Sequence, residues 1–343
     1  MNLKKTLISI TALIMSLSIF TACTSTTAAP SPIATQTQLP GATASKDSLN
    51  VMALKGPTAI GMVKLIEDAS QGKTASNYNF TIVGTPDEIT AKIIKGEVDI
   101  AAVPCNLASV LYNKTNGAIT VTNINTLGVL YLVENGTTIN SVKDLKGKTI
   151  YSTGKGTTPE YTLNYILKAN GLNPEKDVTI VYKSESTEVA AMLDQDKAAI
   201  AMLPQPYVTT VLTKNKNLRI ALDVSAEWDK ASNGSNGSVV TGVLIVRNEV
   251  LKNNKAKVDA FLAEYKKSTE YANTNIDETA KLVEKNNIVP SAIAQIAIPK
   301  CNVTYIDGSE MKTKISGYLK ALYEQNAASV GGKLPDDNFY YNK

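Results

Sequence analysis

Thr153-Gly154-Lys155-Gly156-Thr157-Thr158 is the stretch of this sequence best suited to hold a small molecule. Glycines let a backbone approach a ligand closely, and a helix that follows such a loop presents free N–H groups and a partial positive charge. That dipole contributes about 0.3–1 kcal/mol near a surface, so it would assist binding rather than dominate it. The same residues also suit a plain strand-to-helix turn capped by threonine. They do not form a nucleotide-binding phosphate loop. Neither Gly147-Lys148-Thr149 nor Gly154-Lys155-Gly156 has a glycine five residues ahead of its Gly-Lys pair, and the phosphate cradle needs that turn.

A second group of candidates offers directional hydrogen bonds. Asn106, Gln205 and Tyr207 follow the paired prolines Pro104 and Pro204, and Tyr207 could also stack on a planar ligand. Each is as well suited to satisfying loop backbone groups. Thr241-Gly242 is a candidate floor between two walls. Trp228, the single tryptophan, either covers a binding cleft or packs within its own lobe.

Composition removes several chemistries. The chain has no histidine, which excludes a Ser-His-Asp triad, a Cys-His dyad and any histidine-ligated metal. Cys105 and Cys301 are too few and too separated for a zinc cage, so no metal and no cofactor is expected. They could form a disulfide or stay as two buried thiols. Only two arginines occur, Arg219 and Arg247, and neither falls in a candidate loop. A bidentate arginine clamp on an amino-acid carboxylate is therefore not expected. A neutral or aromatic heterocycle, or a compact anion held by backbone N–H groups and lysine, fits better, the heterocycle first.

The elements that would position these residues are legible as a repeat. Residues 48–69 (SLNVMALKGPTAIGMVKLIEDA) and 148–169 (KTIYSTGKGTTPEYTLNYILKA) align at an offset of one hundred. Lys55-Gly56 meets Lys155-Gly156, Thr58 meets Thr158, and Ile66 meets Ile166. Further on, Glu88 meets Glu188, Ile100-Ala101 meets Ile200-Ala201, and Pro104 meets Pro204. Each copy reads as strand, glycine-containing loop, helix, strand, helix, strand. The strands are expected at Leu49 to Leu54, Phe80 to Val83 and Val98 to Val103, then at Thr149 to Thr153, Val178 to Tyr182 and Ala198 to Leu203. In the first copy the second helix opens at Thr85-Pro86-Asp87-Glu88, a capping-box pattern, and ends at Lys95-Gly96. Strands alternating with helices predict parallel pairing with right-handed crossovers.

Two apolar runs, Leu127 to Val133 and Val239 to Val246, bracket the second copy and are expected to cross between lobes. The reading is an α/β protein of two Rossmann-like lobes. Residues 48–133 plus 240–343 form one lobe and 134–239 the other. The C-terminal part is expected to be helical over Lys255 to Thr274 and about Gly308 to Asn326. Ligands of open parallel sheets sit beyond the carboxyl ends of the strands. Four facing loops are thereby named: Lys55 to Ala59, including Lys55, Gly56, Pro57 and Thr58; Pro104 to Asn106; Thr153 to Thr158; and Pro204 to Tyr207.

The N-terminus indicates the compartment. Lys4 and Lys5 precede an apolar run from Leu7 to Phe20, interrupted by serines and threonines and too short to span a membrane. Phe20-Thr21-Ala22-Cys23 resembles a bacterial lipobox, with residues 1–22 as a lipoprotein signal peptide and Cys23 as the lipidated residue. Residues 23–47, rich in Thr, Ala, Ser and Pro, read as a flexible tether. Losing Lys4 and Lys5 takes the net charge from +4 to +2. A nearly neutral chain without a basic block gives no support to nucleic-acid binding.

Lipobox, tether and two α/β lobes joined by crossing strands resemble a type II periplasmic binding protein. The details are similar to ABC-importer receptors for sulfonate, nitrate and thiamine-pyrimidine precursors. The residues that carry this are Lys55-Gly56-Pro57, LASVLYNK at 107–114, VKDLKGK at 142–148 and Leu203-Pro204-Gln205-Pro206-Tyr207. The resemblance implies a monomeric, non-catalytic receptor, lipid-anchored on the outer face of the cell membrane. Its partners would be an ABC permease and ATPase. An adhesin or sensor that kept this fold is the alternative. An enzyme on the fold, resembling the fungal pyrimidine synthases, would need an active-site histidine.

Overall fold

The computed structural model describes residues 48–233 and 237–342. The expected signal peptide, the expected lipidation site Cys23 and the expected tether lie outside the described residues.

Eleven strands form two sheets among the described residues. They are β1 (Ser48–Leu54), β2 (Asn77–Val83), β3 (Ile100–Pro104), β4 (Ile119–Leu127), β5 (Leu130–Asn135), β6 (Thr149–Ser152), β7 (Thr179–Tyr182), β8 (Ile200–Pro204), β9 (Leu218–Asp223), β10 (Val240–Arg247) and β11 (Val303–Ile306). The first sheet has the order β11-β4-β10-β3-β1-β2 and the second β7-β6-β8-β5-β9. In each, three strands of one repeat copy run parallel: β2, β1 and β3 in the first, β7, β6 and β8 in the second. A reversed strand then pairs antiparallel with the third, β10 with β3 and β5 with β8. The two sheets are thus built alike.

The apolar run at 127–133 is two strands, not one. β4 ends in the first sheet at Leu127, and β5 begins in the second at Leu130. Gly128 stands at the break, where an added Cβ would lie 3.0 Å from the Cβ of Ser225 and 3.4 Å from that of Val239. Only a residue without a side chain lets the chain cross there. The return run behaves differently: β10 belongs to the first sheet along its whole length. The parallel pairing expected throughout holds for β1–β3 and β6–β8, while β4, β10 and β11 pair antiparallel.

Helices start and stop largely where the residues indicate. Pro86–Ile94 begins with proline in its first turn, but Thr85 makes no cap bond to the backbone. Its hydroxyl donates instead to Glu88 Oε1 at 3.0 Å, so the expected capping box is not formed. The reciprocal box occurs at Ser141 and Asp144, at the head of the VKDLKGK run. There Asp144 is held below its usual range, by the Asn140 backbone N–H first and then by Ser141. Gly96, with φ of 75°, ends the first of these helices, and the Glu97 N–H returns to Lys92 O. The long C-terminal helix spans Lys255–Thr274, with Val258, Phe261, Leu262 and Tyr265 buried along one stripe.

Two C-terminal segments reach over to the second copy. Helix Gly308–Gln325 packs on helix Thr158–Ala169, and the Tyr318 and Thr162 hydroxyls lie 2.7 Å apart. Trp228 is fully buried. Its ring centroid stands 4.1 Å from Tyr165 and 5.1 Å from Tyr318, and its indole N–H donates to Gly237 O at 2.9 Å. Of the two roles open to it, Trp228 therefore takes packing. On the other side, helix Ser291–Ala297 packs on helix Tyr207–Lys214.

Candidate functional site

The carboxyl ends of the six parallel strands converge on one cavity of about 110 Å³. Loops after β1, β2 and β3 supply Leu54, Lys55, Pro57, Thr58, Gly84, Pro86 and Pro104. Loops after β6, β7 and β8 supply Thr153, Gly154, Thr157, Thr158, Pro159, Ser184, Glu185, Ser186, Pro204 and Tyr207. Leu130 and Thr241, from the two reversed strands, complete it. A cavity of about 150 Å³ elsewhere accommodates benzene, so this one suits a compact molecule of similar size. A wider open groove of about 570 Å³ lies between helix Thr158–Ala169, residues 171–175 and Leu322 to Asn326, away from the strand ends.

The candidates from the sequence divide into lining and supporting residues. Lys55, Pro57, Thr58, Gly154, Thr157, Thr158, Tyr207 and Thr241 line the cavity. Gly56, at φ 130°, stands just behind, and a Cβ there would sit 3.7 Å from the Tyr207 ring. The first-copy loop and this second-copy ring thus face each other across the gap. Lys155 and Gly156 stand outside the lining.

Asn106 and Gln205 are supports. Asn106 is fully buried. Its amide donates to Ser329 O at 2.9 Å and Gly156 O at 3.2 Å, and its Oδ1 accepts from the Thr158 hydroxyl at 3.3 Å. One side chain from the first copy, in the first turn of helix Cys105–Lys114, thereby fixes the second copy's glycine loop. Gln205 Oε1 accepts from the Thr209 hydroxyl at 2.8 Å and its backbone N–H at 3.2 Å, which fastens the first turn of helix Tyr207–Lys214.

Threonines line both walls. The Thr58 hydroxyl donates to Leu54 O at 3.0 Å and that of Thr157 to Gly154 O at 2.7 Å. Thr241 Oγ1 is buried without a hydrogen-bond partner among the described residues. Gly242 beside it is required by space, since a Cβ there would come within 2.6 Å of Thr58 Cγ2. A buried hydroxyl left unpaired costs about 1–3 kcal/mol, so a ligand that paired it would recover part of that cost.

The two lining side chains with formal charge are Lys55 and Glu185. Both arginines are engaged elsewhere. Arg219 donates to Glu134 at 2.5 Å and Arg247 to Asp99 at 2.9 Å. The Tyr207 phenol is pushed up to about 12, first by burial and then by the negative charge of Glu185. Phenol and carboxylate therefore address the same space.

Reading four loops from the repeat missed a third matched pair. Gly84 and Pro86 after β2 answer to Ser184 and Ser186 after β7 at the same offset of one hundred, and Glu185 lies between. The offset itself was the signal that could have found them.

Cys105 and Cys301 are both free and buried, and no disulfide joins them. Burial raises both thiols, that of Cys301 to about 12, so neither is a ready nucleophile at neutral pH. Among the described residues no group of three or more Cys, Asp or Glu is placed to hold a metal, and no helix is long and apolar enough to cross a membrane.

Residues 116–279 match the family model described as NMT1/THI5 like. A search of curated proteins finds no match. Among solved structures, one described as an ABC transporter from Parabacteroides distasonis is similar at a TM-score of 0.71 and 26% identity, covering 87% of this chain and 99% of that one. The periplasmic aliphatic sulphonate binding protein SsuA from Escherichia coli is similar at 0.67 and 15% identity, covering 87% and 93%. The periplasmic nitrate-binding protein NrtA from Synechocystis is similar at 0.56 and 12% identity, covering 72% and 68%. The fold is that of the type II periplasmic binding proteins, and the structural relatives include substrate-binding proteins of ABC transporters.

Proposed function

We propose that this chain is an extracytoplasmic solute-binding receptor. It captures a small organic molecule between its two lobes and presents the closed form to an ABC permease and ATPase. The observation that carries this reading is the cavity, on which matched loops of both repeat copies converge. In that reading residues 48–133 with 240–343 make one lobe and 134–239 the other, with the crossing refined to Gly128-Val129. Cys23 carries the lipid that holds the receptor at the membrane.

The mechanism follows from the architecture. The lobes rotate about their crossings, and ligand bridging the walls stabilises the closed form. Thr58 and Lys55 act from one wall, Thr158, Glu185 and Tyr207 from the other, and Thr241 from the floor. No bond is made or broken in this role. The cavity volume favours a compact ligand, and the engagement of both arginines elsewhere ranks a heterocycle before an oxyanion.

Native mass spectrometry of protein purified without denaturation tests the reading, and one retained small molecule per chain is expected. The matching compound at a hundred times its dissociation constant should stabilise the fold by about 2.7 kcal/mol. Melting curves unmoved by broad panels of heterocycles, sulfonates and oxyanions would remove the reading.

A further inference from the structure

Glu185 occupies the N-cap position of helix Ser186–Gln195, yet its side chain makes no cap bond. It reaches across the cleft instead. A Cβ built on Gly84, in the opposite copy, would stand 2.9 Å from the Glu185 Cδ and closer still to Oε1. The backbone of Gly84 is not in the left-handed region, so glycine there serves space rather than conformation. It makes room for a carboxylate from the other lobe.

Glu185 forms no ion pair among the described residues, and its contact with the Thr187 hydroxyl is long, at 3.5 Å. Lys55 lines the same cavity and forms no ion pair among the described residues. The cleft thus holds one carboxylate, Glu185 on the wall that also bears Tyr207, and one ammonium, Lys55, on the opposite wall. An oxyanion seated beside Tyr207 would face the Glu185 carboxylate in a partly desolvated space, where like charges repel more strongly than in water, whereas a nitrogen donor there is attracted.

We infer that Glu185 determines ligand charge: it accepts a hydrogen bond from a nitrogen donor on the solute, an ammonium, amidinium or amino group, and it rejects free oxyanions. The Gly84 notch admits the carboxylate, and the donor nitrogen lies between Glu185 and the Tyr207 ring, whose face also favours a cation. This assignment rests on the receptor reading and narrows it.

Calorimetric titration of the full chain and of Glu185→Gln with two probe sets tests it. One set is guanidinium, 4-aminopyridine and piperidine; the other is methanesulfonate, nitrate and sulfate. At least one nitrogen probe should bind the native protein and weaken by about ten- to a hundredfold in Glu185→Gln, the worth of a hydrogen bond to a charged group. The oxyanions should bind the variant better than the native protein. Gly84→Ala, compatible with the backbone at that position, should weaken the same nitrogen probes and serves as the readout should Glu185→Gln not fold. Oxyanion binding to the native protein, or nitrogen probes held equally well without the carboxylate, overturns the inference and leaves a receptor of another specificity. Binding of neither set to any form overturns the inference and the receptor reading together.

Discussion

The two repeat copies face each other at the cleft, the C-terminal segments embrace the second copy, and the two contacts are built from opposite materials. At the cleft, prolines, glycines and threonines surround a cavity of about 110 Å³, with a buried hydroxyl at Thr241 left unpaired. Along the C-terminal side, Trp228, Tyr165 and Tyr318 interlock, and Trp228 and Tyr318 are wholly buried. The polar tips of that aromatic cluster are paired, the indole with Gly237 O and the Tyr318 hydroxyl with Thr162, although Asn164 Oδ1 and Ser329 Oγ nearby are buried without a partner among the described residues. One contact encloses a cavity and the other is filled by interlocked rings. A partner arriving from solution can stabilise only the first.

If that contrast is right, substitutions separate cleanly. Trp228→Ala should cost the most stability, about 3–5 kcal/mol for a fully buried aromatic, read as a fall in the urea midpoint. Ligand affinity measured in folded protein should change little. A loss of affinity as large as the loss of stability would break the comparison.

Asn106→Ala stands at the seam between the two regions. It abandons the Ser329 and Gly156 carbonyls and the Thr158 hydroxyl, which should cost about 1–3 kcal/mol. Because it releases the Gly156 loop, it should weaken ligand binding as well. Intact affinity in a destabilised Asn106→Ala would show that the loop needs no support.

Alkaline titration probes the cleft wall. The Tyr207 phenol sits near 12 in the folded chain and near 10 when unfolded. Below pH 10 its contribution is fully present. As pH rises from about 10 towards 12 the unfolded chain loses its proton first, and stability falls by up to about 1.4 kcal/mol per unit from this group. Tyr207→Phe should flatten the decline in that window by part of this amount. An unchanged slope would mean the ring is not held as described.

Thr241→Val should show the smallest stability change, within about 0.5 kcal/mol or a slight gain, because the buried hydroxyl it removes has no partner. Binding should nevertheless weaken, about threefold to tenfold for one neutral hydrogen bond. A clear loss of stability with full affinity would place the Thr241 hydroxyl in the fold's own bonding.

Much of this architecture was legible from the chain. The offset of one hundred located both sets of parallel strands and the loops at their carboxyl ends, because hydrophobic runs, glycines and prolines recur at matched places. The reversed strands were harder. The run at 127–133 is continuously apolar, and only the crowding of Ser225 and Val239 against Gly128 shows why it must break. Asn106 and Gln205 looked like ligand donors because polar residues after a proline can face either way. Their targets, at Ser329 and Thr209, depend on how distant segments pack. Glu185 escaped notice for another reason: its repeat partner, Thr85, reads as the cap of a helix, so the position looked structural rather than cleft-lining.

The most direct measurement is a crystal structure of the chain with the solute it retains or with any compound that raises its melting temperature. The account predicts that molecule between the loops bearing Thr58 and Thr158, within hydrogen-bonding reach of Thr241 Oγ1. A ligand seated instead in the outer groove beside Asn164 and Gln325, with the space between the two copies untouched, would contradict it.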